Sequence, residues 1–439
     1  MKKKYRIILY TSIFLLCVVA SIILVVKKSN SVYEEESKPK VVKHKSMLSM
    51  NLEQTAGSGD YKTVTQSSWP TEGYKFNAEL SKCENGSTLS WDDTKKAVIM
   101  QGNVSDKCYV YFDIWIPSIA DYCTSGTDLA TCVKNFGDQG PSVSNIYIHN
   151  SSLTNGAGDN SYRYAGANPN NFVCFGSDAS PCPIDNLYRI IGVFGENYHG
   201  ANGKQLVKLI KYDYMTTDEL GTDGDYSQTY KEWGMDSTYK GTYGDGERIG
   251  VYYWNYKATG SATNTWSTSL LNKTNLNTNF INNIGTTWAN KIATVTWKVG
   301  GNTWANIGTE TSSVAYTNEI TNPVTTNTTD NATTYSAKIG LMYVSDYGFA
   351  ASPDAWTLTM SSYNNTTATN NNWMYMGLYE WTISRNAGGS NGAFFVSFGG
   401  GVDDNYVYSY YGVRASFNLE SSVSYVSGSG SMSDPIVIN

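Results

Sequence analysis

Histidine is almost missing from this chain: there are three in 439 residues, His44, His149 and His199. A histidine-rich metal centre is therefore excluded, and a Ser-His-Asp site has few possible bases. His44 lies in a polar N-terminal stretch, and Tyr198-His199-Gly200 reads as an exposed hairpin tip. Charge is scarce too, at 16% of residues against about a quarter in an average globular chain. The net charge of −6 leaves no positive excess to neutralise phosphates, which argues against nucleic acid as a partner. Neither G-x-x-x-x-G-K-[ST] nor a strand–GxGxxG–helix occurs; Gly399-Gly-Gly401 runs into Val402-Asp-Asp404 as an irregular loop. No cysteine spacing gives C-x₂-C, so zinc is disfavoured. No internal repeat stands out.

Acidic residues are available, 38 in all, but no pair sits in a glycosidase-like motif. The loops Asp218–Asp225 and Asp403-Asp-Asn405 are oxygen-rich in a way Ca²⁺ accepts. The same residues are ordinary turn formers, so the expectation is no cofactor, with Ca²⁺ the one cation such loops suit. What the chain does have is 41% hydrophobic and 13% aromatic content, including 34 Tyr and 12 Trp. That fills cores and excludes global disorder.

Residues 7–26 form an uncharged run flanked by Lys2, Lys3, Lys4 and Arg6 and by Lys27-Lys28. Twenty residues at a 1.5 Å rise cover the roughly 30 Å bilayer core, and no A-x-A-like cleavage site follows. An uncleaved anchor over residues 1–28 in contact with the lipid bilayer is expected. Cys17 lies inside it; Cys83, Cys108, Cys123, Cys132, Cys174 and Cys182 lie beyond. An even set implies disulfides and an oxidising, extracellular setting for the bulk of the chain. Short separations favour Cys123–Cys132 and Cys174–Cys182, leaving Cys83–Cys108.

The organisation that follows is a polar stalk over 29–72, a small β module over 73–116, a loop-rich disulfide-containing connector over 117–185 and an α+β domain over 186–439. Leu187–Phe194 and Gln205–Tyr214 read as a long hairpin. Trp266–Ile284 has helical spacing, with Leu276, Phe280 and Ile284 on one face, Leu270, Leu271 and Ile281 broadening it, and Thr265 or Ser267 as cap. Trp297-Lys-Val299, Gly300-Gly301 and Asn302-Thr-Trp304 suggest a tight hairpin. Glu310–Ser336, rich in Thr and Asn, reads as an exposed loop. Strands dominate without βαβ alternation, so the class is α+β with antiparallel sheet.

The last hundred residues concentrate aromatic side chains. Trp381, Phe394 and Phe398 suit a core. Tyr406-Val-Tyr408-Ser-Tyr410-Tyr411 is harder to bury, since each hydroxyl needs a partner. Tyr with Asn, Ser and Gly is also the composition of adaptable recognition loops. Trp381-Thr-Ile-Ser-Arg385-Asn-Ala-Gly388-Gly389-Ser390, followed after a loop by Gly412-Val-Arg414-Ala-Ser-Phe-Asn-Leu419, resembles the C-terminal end of C-type-lectin-like folds of the formylglycine-generating (sulfatase-modifying) type. The chain from about residue 160 is also similar to a family of anchored bacterial surface proteins sharing this end, through Asn186–Phe194, Trp266–Asn272 and Ser429–Ile438.

The resemblance implies a lectin-like C-terminal domain whose scaffold includes Trp381, Arg385, Gly388, Gly389, Gly412 and Arg414. It does not carry over oxidase activity, because no cysteine follows Cys182. In related proteins diversified by retroelements, the loop between the two motifs is the ligand surface. Asn391, Asp403, Asp404, Asn405, Tyr406, Tyr408, Ser409 and Tyr410 match the residue types found there. The expected function is an anchored extracellular adhesin or receptor for a protein or glycan, and not an enzyme. The alternatives are a glycan-processing enzyme using a carboxylate pair, or a structural surface-layer component.

Overall fold

Alternation of apolar and polar side chains organises the described residues up to Ile116, in the first of two units; Pro117–Asn439 is the second. The computed structural model describes residues 47–439 apart from 66–67, 71, 104, 196–198, 202, 235–238, 245, 258–261, 303–308 and 324–331. The expected anchor, residues 7–26, and the stalk as far as residue 46 lie outside the described residues. Among the described residues no helix is long and apolar enough to cross a membrane.

The first unit contains β1 (Met47–Glu53), β2 (Tyr61–Val64), β3 (Tyr74–Cys83), β4 (Thr88–Asp92), β5 (Ala97–Gln101) and β6 (Lys107–Ile114). Four of them make a sheet in the order β2-β1-β6-β3, and β4 and β5 form a separate hairpin. This corrects the stalk: residues 47–64 belong to the β module. The reason is a period-two pattern, Leu48, Met50 and Leu52, that places Met50 and Leu52 in the core beside Val110 and Phe112. β1 runs parallel to β6, a long-range pairing that local turn signals do not reveal. Trp69, Phe76 and Trp91 set their rings 5.6–5.9 Å from Phe112. The Cys83–Cys108 disulfide joins opposed positions of β3 and β6, a useful staple for a core this small.

In the second unit, β7 (Ile146–Ile148), β8 (Tyr162–Tyr164), β9 (Phe172–Cys174), β10 (Leu187–Phe194) and β11 (Leu206–Lys211) are followed by β12 (Tyr226–Thr229), β13 (Gly250–Tyr253), β14 (Val295–Lys298), β15 (Thr334–Ala337) and β16 (Ile339–Gly340). The chain closes with β17 (Glu380–Arg385), β18 (Gly392–Val396), β19 (Val402–Tyr406), β20 (Tyr410–Tyr411) and β21 (Ser416–Asn418), before a last short pair. The main sheet has the order β16-β21-β11-β10-β8-β7, with β9 also on β10. All its pairings are antiparallel. The hairpin of β10 and β11 forms as expected. The connector does not stand apart: β7, β8 and β9 complete this sheet, and the helix Leu129–Gly137 packs Leu129, Cys132, Val133 and Phe136 into the core. Cys123–Cys132 and Cys174–Cys182 both form.

Three further expectations change. The helical stretch over 266–289 is real, with Leu271, Leu276 and Phe280 buried, but it is wide-turned over Leu271–Phe280 and Leu270 faces solvent. Its cap is Ser269, whose hydroxyl accepts from Asn272 N–H, aided by the Asp225 carboxylate on Leu270 and Leu271 N–H. For the hairpin expected across Gly300-Gly301, β14 pairs with β15, and residues 303–304 of its second strand lie outside the described residues. A Cβ on Gly301, at φ +74°, would stand 2.0 Å from the Arg385 carbonyl oxygen, so this glycine permits a backbone contact, continued where Asn302 bridges Asn386. Finally, 310–336 is not simply an exposed loop: Ser312–Tyr316 and Thr317–Thr321 are helical and bury Ala315, Tyr316, Glu319 and Ile320.

Candidate functional site

The two motifs that flank the candidate loop are tied together inside the second unit. Arg414 Nε donates to Glu380 Oε1 at 2.8 Å, and its Nη2 donates to Glu380 Oε2 at 2.9 Å and to the Met374 carbonyl at 2.7 Å. Both side chains are buried, and the Glu380 carboxylate holds the guanidinium above its ordinary pKa against the opposing effect of burial. Trp381 Nε1 donates to the Tyr252 carbonyl and Trp254 Nε1 to the Thr382 carbonyl, each at 2.9 Å. Gly412 N–H donates to Tyr379 O, and Trp381 N–H to Gly412 O; a side chain at Gly412 would run into the Tyr214 ring.

The turn after Arg385 is held by side-chain amides. Asn264 Nδ2 lies 2.8–3.1 Å from the carbonyls of Asn386, Gly389 and Gly392. Asn386 Oδ1 accepts from Gly388 N–H, and its Nδ2 donates to Asp404 Oδ2 at 2.7 Å. The scaffold positions thus form one connected bracket. Arg385 is buried, so it belongs to the frame and not to the surface.

The strands β17, β18 and β19 form an antiparallel sheet that carries the loop. Asp403 is exposed. Asp404 is half-buried, and burial raises its carboxyl above the usual range. Asn405 Nδ2 donates to the Tyr411 hydroxyl at 2.7 Å. The Asn391 carbonyl accepts from Val407 N–H, and Ser409 N–H donates to the Tyr406 carbonyl. Val407 is fully buried and pins the segment, while Tyr406 and Tyr408 on either side of it project outward. Their rings lie parallel, 4.9 Å apart at an interplanar angle of 6°, with relative exposures of 52% and 43%.

Tyr410 joins a different group. β13 and β20 are in register with Tyr252 opposite Tyr411 and Tyr253 opposite Tyr410. Alternation therefore buries Tyr252 and Tyr411 and turns Tyr253 and Tyr410 to the other face. Tyr410 meets Trp233 at 5.1 Å and Tyr253 at 5.8 Å, and Tyr253 stacks on exposed Tyr256 at 4.5 Å. Phe398, expected in the core, is 46% exposed; its ring meets Tyr379 at 5.3 Å. Trp381 and Phe394 are core residues as expected.

No protein-family model, curated protein or solved structure matches the chain.

Of the loop residues, Tyr410 is brought together with rings not among the expected site residues: Trp233 and Tyr253, with Tyr256 stacked on the latter. The run Val251-Tyr-Tyr-Trp-Asn-Tyr256 was the available signal. Among the described residues, the one group of three His, Cys, Asp or Glu ligands close enough to share a metal is Cys83, Asp106 and Cys108, and both cysteines are in a disulfide. Asp218, Asp223 and Asp225 form no such group. Asp225 is committed to the helix cap, and Asp223 Oδ1 accepts from Asn279 Nδ2. His199 is buried, not at an exposed tip: it packs on Phe194 and shares Asp159 with Arg163. Burial lowers its pKa to about 4. The aromatic surface offers ring faces for apolar contact and hydroxyls and amides for directional hydrogen bonds, a combination suited to recognition.

Proposed function

We propose that this chain is an anchored surface protein that binds an extracellular protein or glycan through the tyrosine surface of its C-terminal domain, in a lectin-like arrangement. The observation that carries the reading is the parallel pair Tyr406 and Tyr408, held out from a buried bracket by Val407. Two large rings left in water while their neighbours are buried give up apolar burial, about 25 cal/mol per Å², and a partner recovers that energy. The rings are stacked on one another, so little side-chain entropy is left to lose on binding. Tyr253, stacked on Tyr256 and edge-on to Tyr410, forms a second aromatic group that starts two residues along the chain from Tyr408.

The test is a glycan and protein binding screen with the full-length protein, repeated with Tyr406→Ala, Tyr408→Ala and Tyr410→Ala combined. Loss of every hit with an unchanged melting curve is the expected result. Binding that survives the triple substitution refutes the assignment of the site.

A further inference from the structure

The second unit encloses an amine and a carboxyl group in contact, away from solvent. Lys208 lies in β11 and Asp346 near the start of the helix Val344–Ala350. Lys208 Nζ is 2.5 Å from Asp346 Oδ2, with the side chains 2% and 0% exposed. The rings of Tyr343, Trp297 and Phe194 surround the nitrogen at 4.4, 5.2 and 5.8 Å. An ammonium has three N–H donors, and Asp346 is the one hydrogen-bond acceptor described for it here. Asp346 Oδ2 also accepts from Tyr343 N–H at 3.0 Å, whereas the buried Oδ1 has no hydrogen-bond donor and faces Arg163 Nη1 at 3.7 Å.

A second carboxyl group stands alongside. Glu319, also buried, accepts from Val344 and Ser345 N–H, the residues just before Asp346, and from the Ser384 hydroxyl. Burial raises its pKa to about 7, and it interacts electrostatically with both Asp346 and Lys208. Arg163 is spent largely on Asp159 and Ser161, so it adds a nearby positive charge at Oδ1 without occupying it.

We propose that Lys208 and Asp346 are joined by an intramolecular amide bond, formed within the folded core with Glu319 as the proton carrier. Burial works against the charged pair while the cations Lys208 and Arg163 hold Asp346 below its ordinary range, so the reacting form, a neutral amine and acid, is the one reached by passing a proton from Nζ to the carboxylate. The amine nitrogen, 2.5 Å from Oδ2, is then one bond removed from the carboxyl carbon it attacks, the kind of enforced proximity that favours an intramolecular step. The Nζ lone pair attacks Cγ; the neutral amine gives up one proton, which Glu319 relays to Oδ1 to join the one the acid already carries. Oδ1 leaves as water, while the last amine proton stays as the amide N–H. Glu319 ends as it began. Oδ2 remains as the amide oxygen and keeps its bond from Tyr343 N–H. No oxidant, reductant or cofactor enters the balance, and exclusion of water from the aromatic enclosure opposes the reverse hydrolysis.

The full-length protein, reduced, alkylated, denatured and digested with trypsin, tests this by tandem mass spectrometry. The expected product is residues 205–211 joined to residues 339–385, lighter than the two together by one water and uncleaved at Lys208. Lys208→Arg and Asp346→Ala should abolish it, and Glu319→Gln should reduce the joined fraction at least tenfold. Recovery of Gln205–Lys208 and the 339–385 peptide as separate, full-mass species from wild-type protein with a cooperative melt overturns the bond. A fully joined Glu319→Gln protein overturns the role given to Glu319.

Discussion

Replacing Arg414 by Met removes the charge that neutralises Glu380 and so probes the bracket holding the tyrosine loop. The guanidinium makes two bonds to the carboxylate and one to the Met374 carbonyl, with both residues at most 2% exposed. Removing one partner of such a pair leaves a buried, uncompensated charge, a loss of about 3–5 kcal/mol. Pairing Arg414→Met with Glu380→Leu removes both charges, and the double variant should recover most of that loss. The coupling energy in the cycle should therefore exceed about 2 kcal/mol. Arg414→Lys keeps the charge but not the two-pronged fork, so it should fall between. The assay is guanidinium unfolding followed by tryptophan fluorescence, which reports on the many buried indoles of this unit. Without Arg414, burial, the largest influence on Glu380, is opposed only by the Tyr214 hydroxyl and is reinforced by Asp213, so the carboxyl rises further above 4.5. The deficit of Arg414→Met should then be small below about pH 4.5 and grow as pH rises through the folded-state pKa. A loss under about 1 kcal/mol, or zero coupling, would show that the pair does not hold the loop frame.

Glu319 predicts a pH dependence of its own. Its folded pKa, about 7 against an ordinary 4.5, contributes stability present below about pH 4.5 and lost as pH rises through about 7. His199, lowered to about 4 from 6.5, acts in the opposite sense, since protonating it as pH falls destabilises the fold. Glu319→Gln should consequently abolish the alkaline decline and leave stability rising between pH 4 and 6.5; parallel wild-type and variant curves refute the assignment. Cys83→Ser with Cys108→Ser opens a loop with a sequence separation of 25, and the chain-entropy relation puts the loss in the first unit at about 3.5 kcal/mol, measurable by calorimetry. Gly301→Ala adds a Cβ that meets the Arg385 carbonyl at positive φ; a loss of about 1–3 kcal/mol is expected, and a neutral result would mean the bracket has slack there.

The long-range strands of the fold were legible where a sequence pattern was unambiguous. β10 and β11 are continuous apolar runs, and they form the centre of the main sheet. The strands of the first unit announced themselves through turns, except β1 and β2. These sit in a polar stretch, and their pairing with β6 depends on a parallel contact that leaves no local signature. Charge misled in the other direction. Arg163, Lys208 and Asp346 look like surface residues in the sequence, yet all three are buried together with aromatic rings against the cations. Composition cannot indicate that a charge is buried, because the compensating partner is more than a hundred residues away, as Asp346 is from Lys208.

The candidate site divides along the same line. That the segment after Asp403 presents tyrosines followed from their number and from the hydroxyls that each would have to satisfy in a core. Which tyrosines stay in water is decided by register. Opposing Tyr252 with Tyr411 across β13 and β20 sends that pair inward, and the neighbouring pair, Tyr253 and Tyr410, must then lie on the outer face. A one-residue slip would exchange the two sets. The buried Val407, with its N–H on the Asn391 carbonyl and its carbonyl accepting from Asn255 N–H, prevents that slip on the loop side. Val407→Ala should therefore weaken binding without touching a single exposed ring, because it loosens the register that keeps Tyr406 and Tyr408 parallel. If Val407→Ala binds as well as wild type while Tyr406→Ala with Tyr408→Ala does not, the two rings find their places without the register, and the argument from strand pairing fails.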